Sequence, residues 1–502
     1  MKPLTLALVA GLLLAGCSAP DDGPLEPAPD SKWNVRWSAG LPAGALSSPA
    51  NIDLNGDGAL DAIIMTGMQP TADNPEPIDP SWRDTVALDG RNGRLLWTVA
   101  TGGVDSSPAV GDLDDDGEPD IVIGFRESQT LVRMAADGEY SKTFEAFNWV
   151  HSAAFYDVDG DGGLEIVAVT GGAEGPPGHE HEHGPAEGSD RPVGGHPGST
   201  GEIIVFEDDL EVQWRVRAID EAYTSPAVGP LHTDGSGPVV IASGYGGELS
   251  FGGGVVLRDA TGDMLWNRTT RTGVLSSPVL VDLDGDGTRD VVTGTWWGAI
   301  HAYHGATGED LWNHETGQLG WSSPALGEWT GDDLPDVVVT GYRTPDLQFE
   351  SFESGVNDKG ALGRGVAGRV AAYEGATGAL LWETDVPGSP TSPATSDLDG
   401  DGTAEVLVFF SRGDTGFSGA DGGTLWVLNG TTGEVIDERI LPSGGVGTPS
   451  IRDLDGDGRA EVTLVTLGPA MAIVMEWEEK RAGEARWAWP QWRGDDHNTG
   501  HR

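Results

Sequence analysis

Short apolar runs separated by Gly-, Asp- and Pro-rich turns dominate this chain, and no long segment keeps the spacing of an amphipathic helix. Four kinds of run recur in a fixed order. The first, a, is a Ser-Pro-Ala-Val-like strand such as Ser107-Pro108-Ala109-Val110. An acidic loop follows, as in Asp282-Leu-Asp-Gly-Asp-Gly-Thr-Arg-Asp290. Next comes b, a short β-branched run such as Ile121-Val122-Ile123-Gly124, and then c, such as Ala299-Ile300-His301-Ala302-Tyr303. After a turn such as Ala306-Thr307-Gly308 comes d, which carries Leu311-Trp312 in that copy.

Acidic loops, intact or degenerate, begin at Asp53, Asp112, Asp157, Pro230, Asp282, Glu328, Asp397 and Asp453. Four short strands per unit predict an all-β fold, a β-propeller of four-stranded blades. One blade cannot bury both faces of its sheet alone, so blades stack around an axis. The loops predict eight blades; seven result if the Pro230 unit does not form one. Trp33 to Gly40 matches an isolated d strand and is expected to complete the eighth blade after the b and c strands Val462–Val465 and Ala472–Trp477. The C-terminal Trp487-Ala-Trp-Pro-Gln-Trp492 competes for that place or packs beside it. Recurring Trp97, Trp149, Trp214, Trp266, Trp312 and Trp382 are expected to pack between blades, as large flat rings at one blade position do.

Composition agrees with a turn-rich β fold: 77 Gly and 32 Pro in 502 residues. A formal net charge of −51 excludes nucleic acid as a partner and argues against an anionic membrane surface. A saline habitat or a high-GC genome would each produce this bias. The single cysteine, Cys17, rules out an intramolecular disulfide. It follows Lys2, an apolar run from Leu4 to Leu14 and Ala15-Gly16. That run is too short to span a bilayer permanently and reads as the apolar core of a secretory signal. Residues 1–17 are therefore expected to be a signal peptide, 18–32 a Pro- and Asp-rich tether, and 33–502 the propeller.

The acidic loops carry the candidate chemistry. Acids at positions 1, 3, 5 and 9 offer hard oxygen ligands, and a Gly at position 6 lets the backbone bend sharply. The intact sets are Asp53, Asn55, Asp57 and Asp61; Asp112, Asp114, Asp116 and Asp120; Asp157, Asp159, Asp161 and Glu165; Asp282, Asp284, Asp286 and Asp290; Asp397, Asp399, Asp401 and Glu405; and Asp453, Asp455, Asp457 and Glu461. About six structural Ca²⁺ ions are expected, since carboxylates crowded into one turn repel without a cation. Asp333 replaces the Gly in the sixth loop, which makes it a weak site. The fourth offers Pro230, His232, Asp234 and Pro238 and is expected to be empty.

These loops resemble FG-GAP/VCBS repeats, the units of the integrin α-chain propeller, and the resemblance implies Ca²⁺ held in a β-hairpin loop. The c–d segments, such as Tyr373-Glu-Gly-Ala-Thr-Gly-Ala-Leu-Leu-Trp382, resemble the tryptophan repeat of quinoprotein and outer-membrane assembly propellers. Quinoprotein dehydrogenases of this type use a vicinal cysteine pair. Cys17 stands alone, which argues against a bound quinone. The Leu-Ala-Gly-Cys ending resembles a bacterial lipobox, which implies lipidation at Cys17. Ser18 after it implies outer-membrane sorting. Arg493-Gly494-Asp495 spells an integrin ligand tripeptide, a match short enough to arise by chance.

In a four-stranded blade the a–b loops and c–d turns share one face. The long insertions all fall between b and c and so crowd the other face, where binding usually resides. Arg126, Tyr245, Trp296, Trp297, Tyr342, Arg343 and Arg412 lie just after strand b. They form either a recognition surface or packing beneath the loops. His179, His181, His183 and His196 in one insertion either chelate a transition metal or belong to a solvated low-complexity loop. The functional expectation is a lipid-anchored, Ca²⁺-stabilised module at the cell surface or outer membrane. It would bind an envelope or extracellular protein or glycan and meet the membrane only through its anchor. The alternatives are an envelope assembly scaffold and a polysaccharide lyase-like enzyme.

Overall fold

The computed structural model describes residues 31–45, 47–67, 84–101, 106–125, 128–146, 149–171, 201–218, 224–245, 253–296, 298–316, 318–319, 322–343, 367–412, 422–478, 488–490 and 495. Residues 1–30, which hold the expected signal peptide, Cys17 and most of the expected tether, and the histidine-rich insertion lie outside these residues.

The chain forms eight antiparallel blades in a ring, each with strand order a-b-c-d. Blade 1 comprises Ala50–Ile52, Asp61–Met65, Asp84–Leu88 and Leu95–Ala100. Blade 2 is Ala109–Gly111, Asp120–Phe125, Thr130–Ala135 and Tyr140–Glu145, and blade 3 is Ala154–Tyr156, Glu165–Gly171, Glu202–Phe206 and Val212–Arg217. Blade 4 is Ala227–Pro230, Pro238–Tyr245, Gly253–Asp259 and Met264–Thr270, and blade 5 is Val279–Val281, Asp290–Gly294, Ala299–Tyr303 and Asp310–Glu315. Blade 6 is Ala325–Gly327, Asp336–Arg343, Ala367–Tyr373 and Leu380–Val386, and blade 7 is Ala394–Ser396, Glu405–Arg412, Gly423–Leu428 and Val435–Leu441. Blade 8 takes a, b and c from Ser450–Arg452, Glu461–Val465 and Met471–Trp477, and d from Trp33–Gly40. Strands from both chain regions thus close the ring. The Pro230 unit forms a blade, so the count is eight.

The a strands line the axis, where those of adjacent blades touch, including blade 8 against blade 1. The d strands are outermost and alternate exposed with partly buried positions, whereas b strands are buried almost throughout. Proline has no N–H to give to a ladder, and strand a is broken at its Ser-Pro motif. In blade 7 the break separates Gly388–Pro390 from Ala394–Ser396, both paired with strand b. The serines bond around the ring instead. Ser48 N–H donates to Ser107 Oγ at 3.0 Å, and Ser107 N–H to Ser152 Oγ at 2.7 Å. The same bond joins Ser225 to Ser277, Ser277 to Ser323 and Ser323 to Ser392, while Thr448 N–H donates to Ser48 Oγ at 2.9 Å.

Tryptophans lock neighbouring blades. The indole N–H of Trp266 donates to Gly305 O at 2.6 Å, that of Trp312 to Gly375 O at 2.7 Å, and that of Trp382 to Gly430 O at 2.6 Å. Trp37, Trp97 and Trp214 make the equivalent bonds to Gly90, Ala136 and Ala260. One expectation is corrected here. Trp149 is not a locking residue; it sits in the first half of the broken a strand of blade 3, paired with Gly171. Trp37, on the N-terminal strand, takes the sixth locking place.

The described part of the C-terminal segment, residues 488–490, does not compete for the eighth blade. Trp489 is fully buried; its N–H donates to Thr395 Oγ1 at 2.6 Å and its carbonyl accepts from Thr395 N–H at 2.8 Å. Pro490 O accepts from Ile451 N–H at 2.7 Å. Residues 488–490 therefore pack beside the inner strands of blades 7 and 8.

Candidate metal centres

Each intact acidic loop is an a–b hairpin turn held by its own first residue. Asp282 Oδ1 accepts from Gly285 N–H at 2.8 Å and Oδ2 from Gly287 N–H at 3.0 Å. Gly285 and Gly287 have φ of 76° and 86°, the left-handed region that favours glycine. Asp53, Asp157, Asp397 and Asp453 hold their loops in the same way.

The turn folds positions 1, 3 and 9 onto one another. Carboxylate oxygens lie within 4.8 Å of each other in Asp112, Asp114 and Asp120; in Asp157, Asp159 and Glu165; in Asp282, Asp284 and Asp290; in Asp397, Asp399 and Glu405; and in Asp453, Asp455 and Glu461. Position 5 does not join these groups. Its carboxylate accepts the N–H two residues on, as Asp116 does from Glu118, Asp286 from Thr288, Asp401 from Thr403 and Asp457 from Arg459. Asp161 does the same with Gly163. In the first loop Asp53, Asn55, Asp57 and Asp61 follow this plan, with Asn55 Nδ2 3.4 Å from Asp61 Oδ1.

The ninth position starts strand b and is buried, and it wires the loop into its blade. Asp290 Oδ2 accepts Leu283 N–H at 3.0 Å and Oδ1 accepts Gly305 N–H at 3.2 Å, across in the c–d turn. Asp61 bonds Leu54 and Gly90 likewise, and Asp336 bonds Trp329 and Gly375. Gly90, Gly305 and Gly375 are also the residues whose carbonyls receive the locking indoles. In these three blades an unbroken chain of hydrogen bonds therefore runs from acid loop to glycine turn to the tryptophan of the preceding blade.

Burial, with neighbouring carboxylates adding to it, pushes the ninth-position acids well up. Asp61 and Asp336 reach about 6, Asp290, Glu165 and Glu405 about 7, and Glu461 about 8. Glu461 is 2% exposed, and its Oε1 has no hydrogen-bond partner. A buried acceptor facing Asp453 and Asp455 fits a cation, and hard carboxylate oxygens suit a hard divalent one.

The degenerate loops differ in register. In blade 5 Val281 pairs with Asp290, but in blade 4 Gly229 pairs with Val239 and Pro230 with Pro238. The fourth loop is thus one residue longer, and Val239 stands where the acid stands elsewhere. It leans on its neighbour: Arg289 N–H donates to Leu231 O at 2.6 Å and Arg289 Nη1 to His232 O at 2.7 Å. In the sixth loop Asp333 takes a φ of 69° in place of a glycine. There the Trp329 indole donates to Ala404 O at 2.8 Å in blade 7.

Strand b of each blade ends on the opposite face. Arg126, Trp297 and the side chains of Tyr245, Tyr342 and Arg343 lie outside the described residues, as do Arg493 and Gly494. The Trp296 N–H donates to Gly273 O at 2.8 Å. Arg412 Nε donates to Thr424 Oγ1 at 2.7 Å and its guanidinium lies 3.6 Å from Glu438, so this side chain is tied within its own blade. Among the described residues no helix is long and apolar enough to cross a membrane.

Residues 112–168 match the FG-GAP-like repeat, and residues 389–428 match the FG-GAP repeat. No curated protein sequence matches the chain. Among solved structures it is similar to BamB from Moraxella catarrhalis, with 13% identity and a TM-score of 0.52 over 89% of this chain and 99% of that one. It is also similar to the quinohemoprotein alcohol dehydrogenase of Comamonas testosteroni, with 13% identity and a TM-score of 0.57 over 91% of this chain and 78% of that one. Quinohemoprotein alcohol dehydrogenase ADHIIG from Pseudomonas putida HK5 gives 14% identity and a TM-score of 0.56 over the same shares. At these identities the likeness is one of fold. The chain is an eight-bladed β-propeller that carries FG-GAP repeat matches at residues 112–168 and 389–428, with the fold of the BamB and quinoprotein propellers.

Proposed function

We propose that this chain is a calcium-stabilised binding module of the cell envelope, anchored through a lipid on Cys17, that recognises a protein or glycan. The observation that carries the calcium reading is the repeated set of three convergent carboxylates whose ninth-position member is buried, held toward its neutral form and bonded into the ring. Ca²⁺ would be held by positions 1, 3 and 9 and would keep the buried acid ionised. At Asp61 and Asp290, which bond the glycine turn, that ion's hairpin would also support the preceding blade through the locking indole. The role is structural, in the sense that metal binding is part of folding free energy. Removing divalent ions is expected to lower the melting temperature by ten degrees or more, on the order of what several lost ions produce in a chain of this size. An unchanged melt on chelation would count against it.

The binding role rests on the division of labour between faces. One face is committed to acid loops and glycine turns. The other receives the long b–c connections, and loops on a rigid scaffold are where recognition usually resides. Immobilised protein should bind its envelope partner or glycan saturably, and shortening the connection at residues 344–366 or 172–200 should abolish this without altering the melt. Binding that survives both deletions would move the site elsewhere. Cys17→Ser should release the protein from the membrane fraction; retention there would refute the anchor. The fold is shared with dehydrogenases at low identity only, and the reading here is of a binding module rather than an enzyme.

A further inference from the structure

The second acidic loop departs from its siblings where a cation would sit. Two residues into strand b of each blade, the partner on strand c is usually small or aliphatic: Ala87, Val205, Ala302 and Ala372 hold this register. In blade 2 the residue there is Arg133, opposite Val122. Its buried guanidinium turns into the loop. Nε donates to Asp120 Oδ1 at 2.8 Å, and Nη2 donates to Asp120 Oδ2 at 2.8 Å and Asp114 Oδ2 at 2.5 Å. Nη1 reaches the next blade and donates to Asp208 O at 2.9 Å, with the Asp208 carboxylate 3.6 Å away.

The same junction has lost its tryptophan lock. Opposite Ala87 and Ala302 stand Trp97 and Trp312, whereas opposite Arg133 stands Lys142. In the receiving turn of blade 3 Asp208 stands where Gly90, Ala136 and Gly305 stand in other blades, Leu210 takes the left-handed φ of the turn glycine at 65°, and Lys142 Nζ lies 3.7 Å from Asp209. Arg133, Lys142 and Asp208 thus put charge at three positions that hold a small residue, a tryptophan and a glycine in blade 5 or its receiving turn.

We infer that Arg133 is the resident cation of the second loop, that this loop takes no Ca²⁺, and that Arg133 and Lys142 on Asp208 and Asp209 replace the indole lock between blades 2 and 3. This rests on the calcium reading of the other intact loops. The chemistry is specific. A guanidinium is always charged, and here it engages both oxygens of Asp120 and one of Asp114. Those are two of the three carboxylates a metal would need. An ion bound to them would lie against a like charge in a partly buried site, which costs heavily at low dielectric. A tethered cation also cannot be chelated, so this junction stays closed where the others loosen.

The test counts bound Ca²⁺ per chain by equilibrium dialysis and native mass spectrometry in the full chain. Asp284→Ala is expected to lose one ion, Asp114→Ala to keep the wild-type number, and Arg133→Met to gain one ion and show a larger calcium-dependent rise in melting temperature. Loss of an ion in Asp114→Ala, or an unchanged number in folded Arg133→Met, overturns the inference while leaving the calcium reading intact. Wild-type protein that binds no Ca²⁺ overturns that reading and this inference with it. If Arg133→Met does not fold, the Asp114→Ala comparison decides.

Discussion

The indole N–H of Trp382 in blade 6 donates to the carbonyl of Gly430 in blade 7 at 2.6 Å, while the turn glycine Gly433 lies flat against the same ring. Gly433 has a φ of 71°, and a Cβ placed on it would meet Trp382 Cε3 at 2.4 Å. Two different constraints thus demand glycine at one position, one from backbone conformation and one from the approaching ring.

That lock predicts a graded series. Trp382→Phe keeps most of the apolar contact and leaves the Gly430 carbonyl without its donor, for a cost of about 1–2 kcal/mol. Trp382→Ala opens a cavity between blades and should cost about 3–5 kcal/mol. Gly433→Ala should cost about 1–3 kcal/mol through strain and displacement of the ring. Urea unfolding of the three variants checks the order.

The serine ring gives a second expectation. Ser323 Oγ accepts the buried N–H of Ser277. Ser323→Ala strands that N–H and should cost about 1–3 kcal/mol, although the side chain removed is small. Ser323→Thr retains the acceptor and should cost less. Equal losses in the two variants would show that packing, not the hydrogen bond, matters there.

A pH profile follows from the buried acids. Asp290, Glu405 and Glu461 are held up to about 7, 7 and 8 by burial, against about 4 in an unfolded chain. The folded state then holds their protons more tightly. The resulting stability is fully present below the unfolded value and is lost as pH rises through the folded values. Metal-free protein should therefore lose stability between about pH 4 and 8, by roughly 4 kcal/mol per group at most. With saturating Ca²⁺ the ion takes the place of the protons, and the loss should disappear. Calorimetry at pH 5.5 and 7.5, on protein freed of divalent ions and on protein reloaded, reads both slopes.

Trp489 supplies a fourth. It is 1% exposed, packs with the core of blades 5 to 7 and bonds Thr395 through both backbone groups. Trp489→Ala should cost about 3–5 kcal/mol. A C-terminal segment that merely rested on the ring would lose far less, and thermal melts of the variant separate the two.

Much of the ring was legible because its signals are local and repeated. Alternating Asp and Gly within nine residues predict a tight acidic hairpin whatever surrounds it. The lone d strand Trp33–Gly40 points to the eighth blade because every other unit ends in one. Trp149 shows the opposite: a tryptophan near the right place is no lock without the register that separates a d strand from the first half of an a strand. Position 9 counted from Pro230 is Pro238, and only the pairing of Gly229 with Val239 reveals the extra residue in that loop.

Local sequence determined the strands, the turns and which loops concentrate charge, because those depend on residues a few positions apart. Tertiary structure decided which carboxylates converge, which tryptophan meets which glycine, and that Arg133 fills the second loop while reaching Asp208, 75 residues away. No spacing along the chain encodes that meeting. It arises only when neighbouring blades are pressed together and a buried guanidinium must find partners on both sides of the seam.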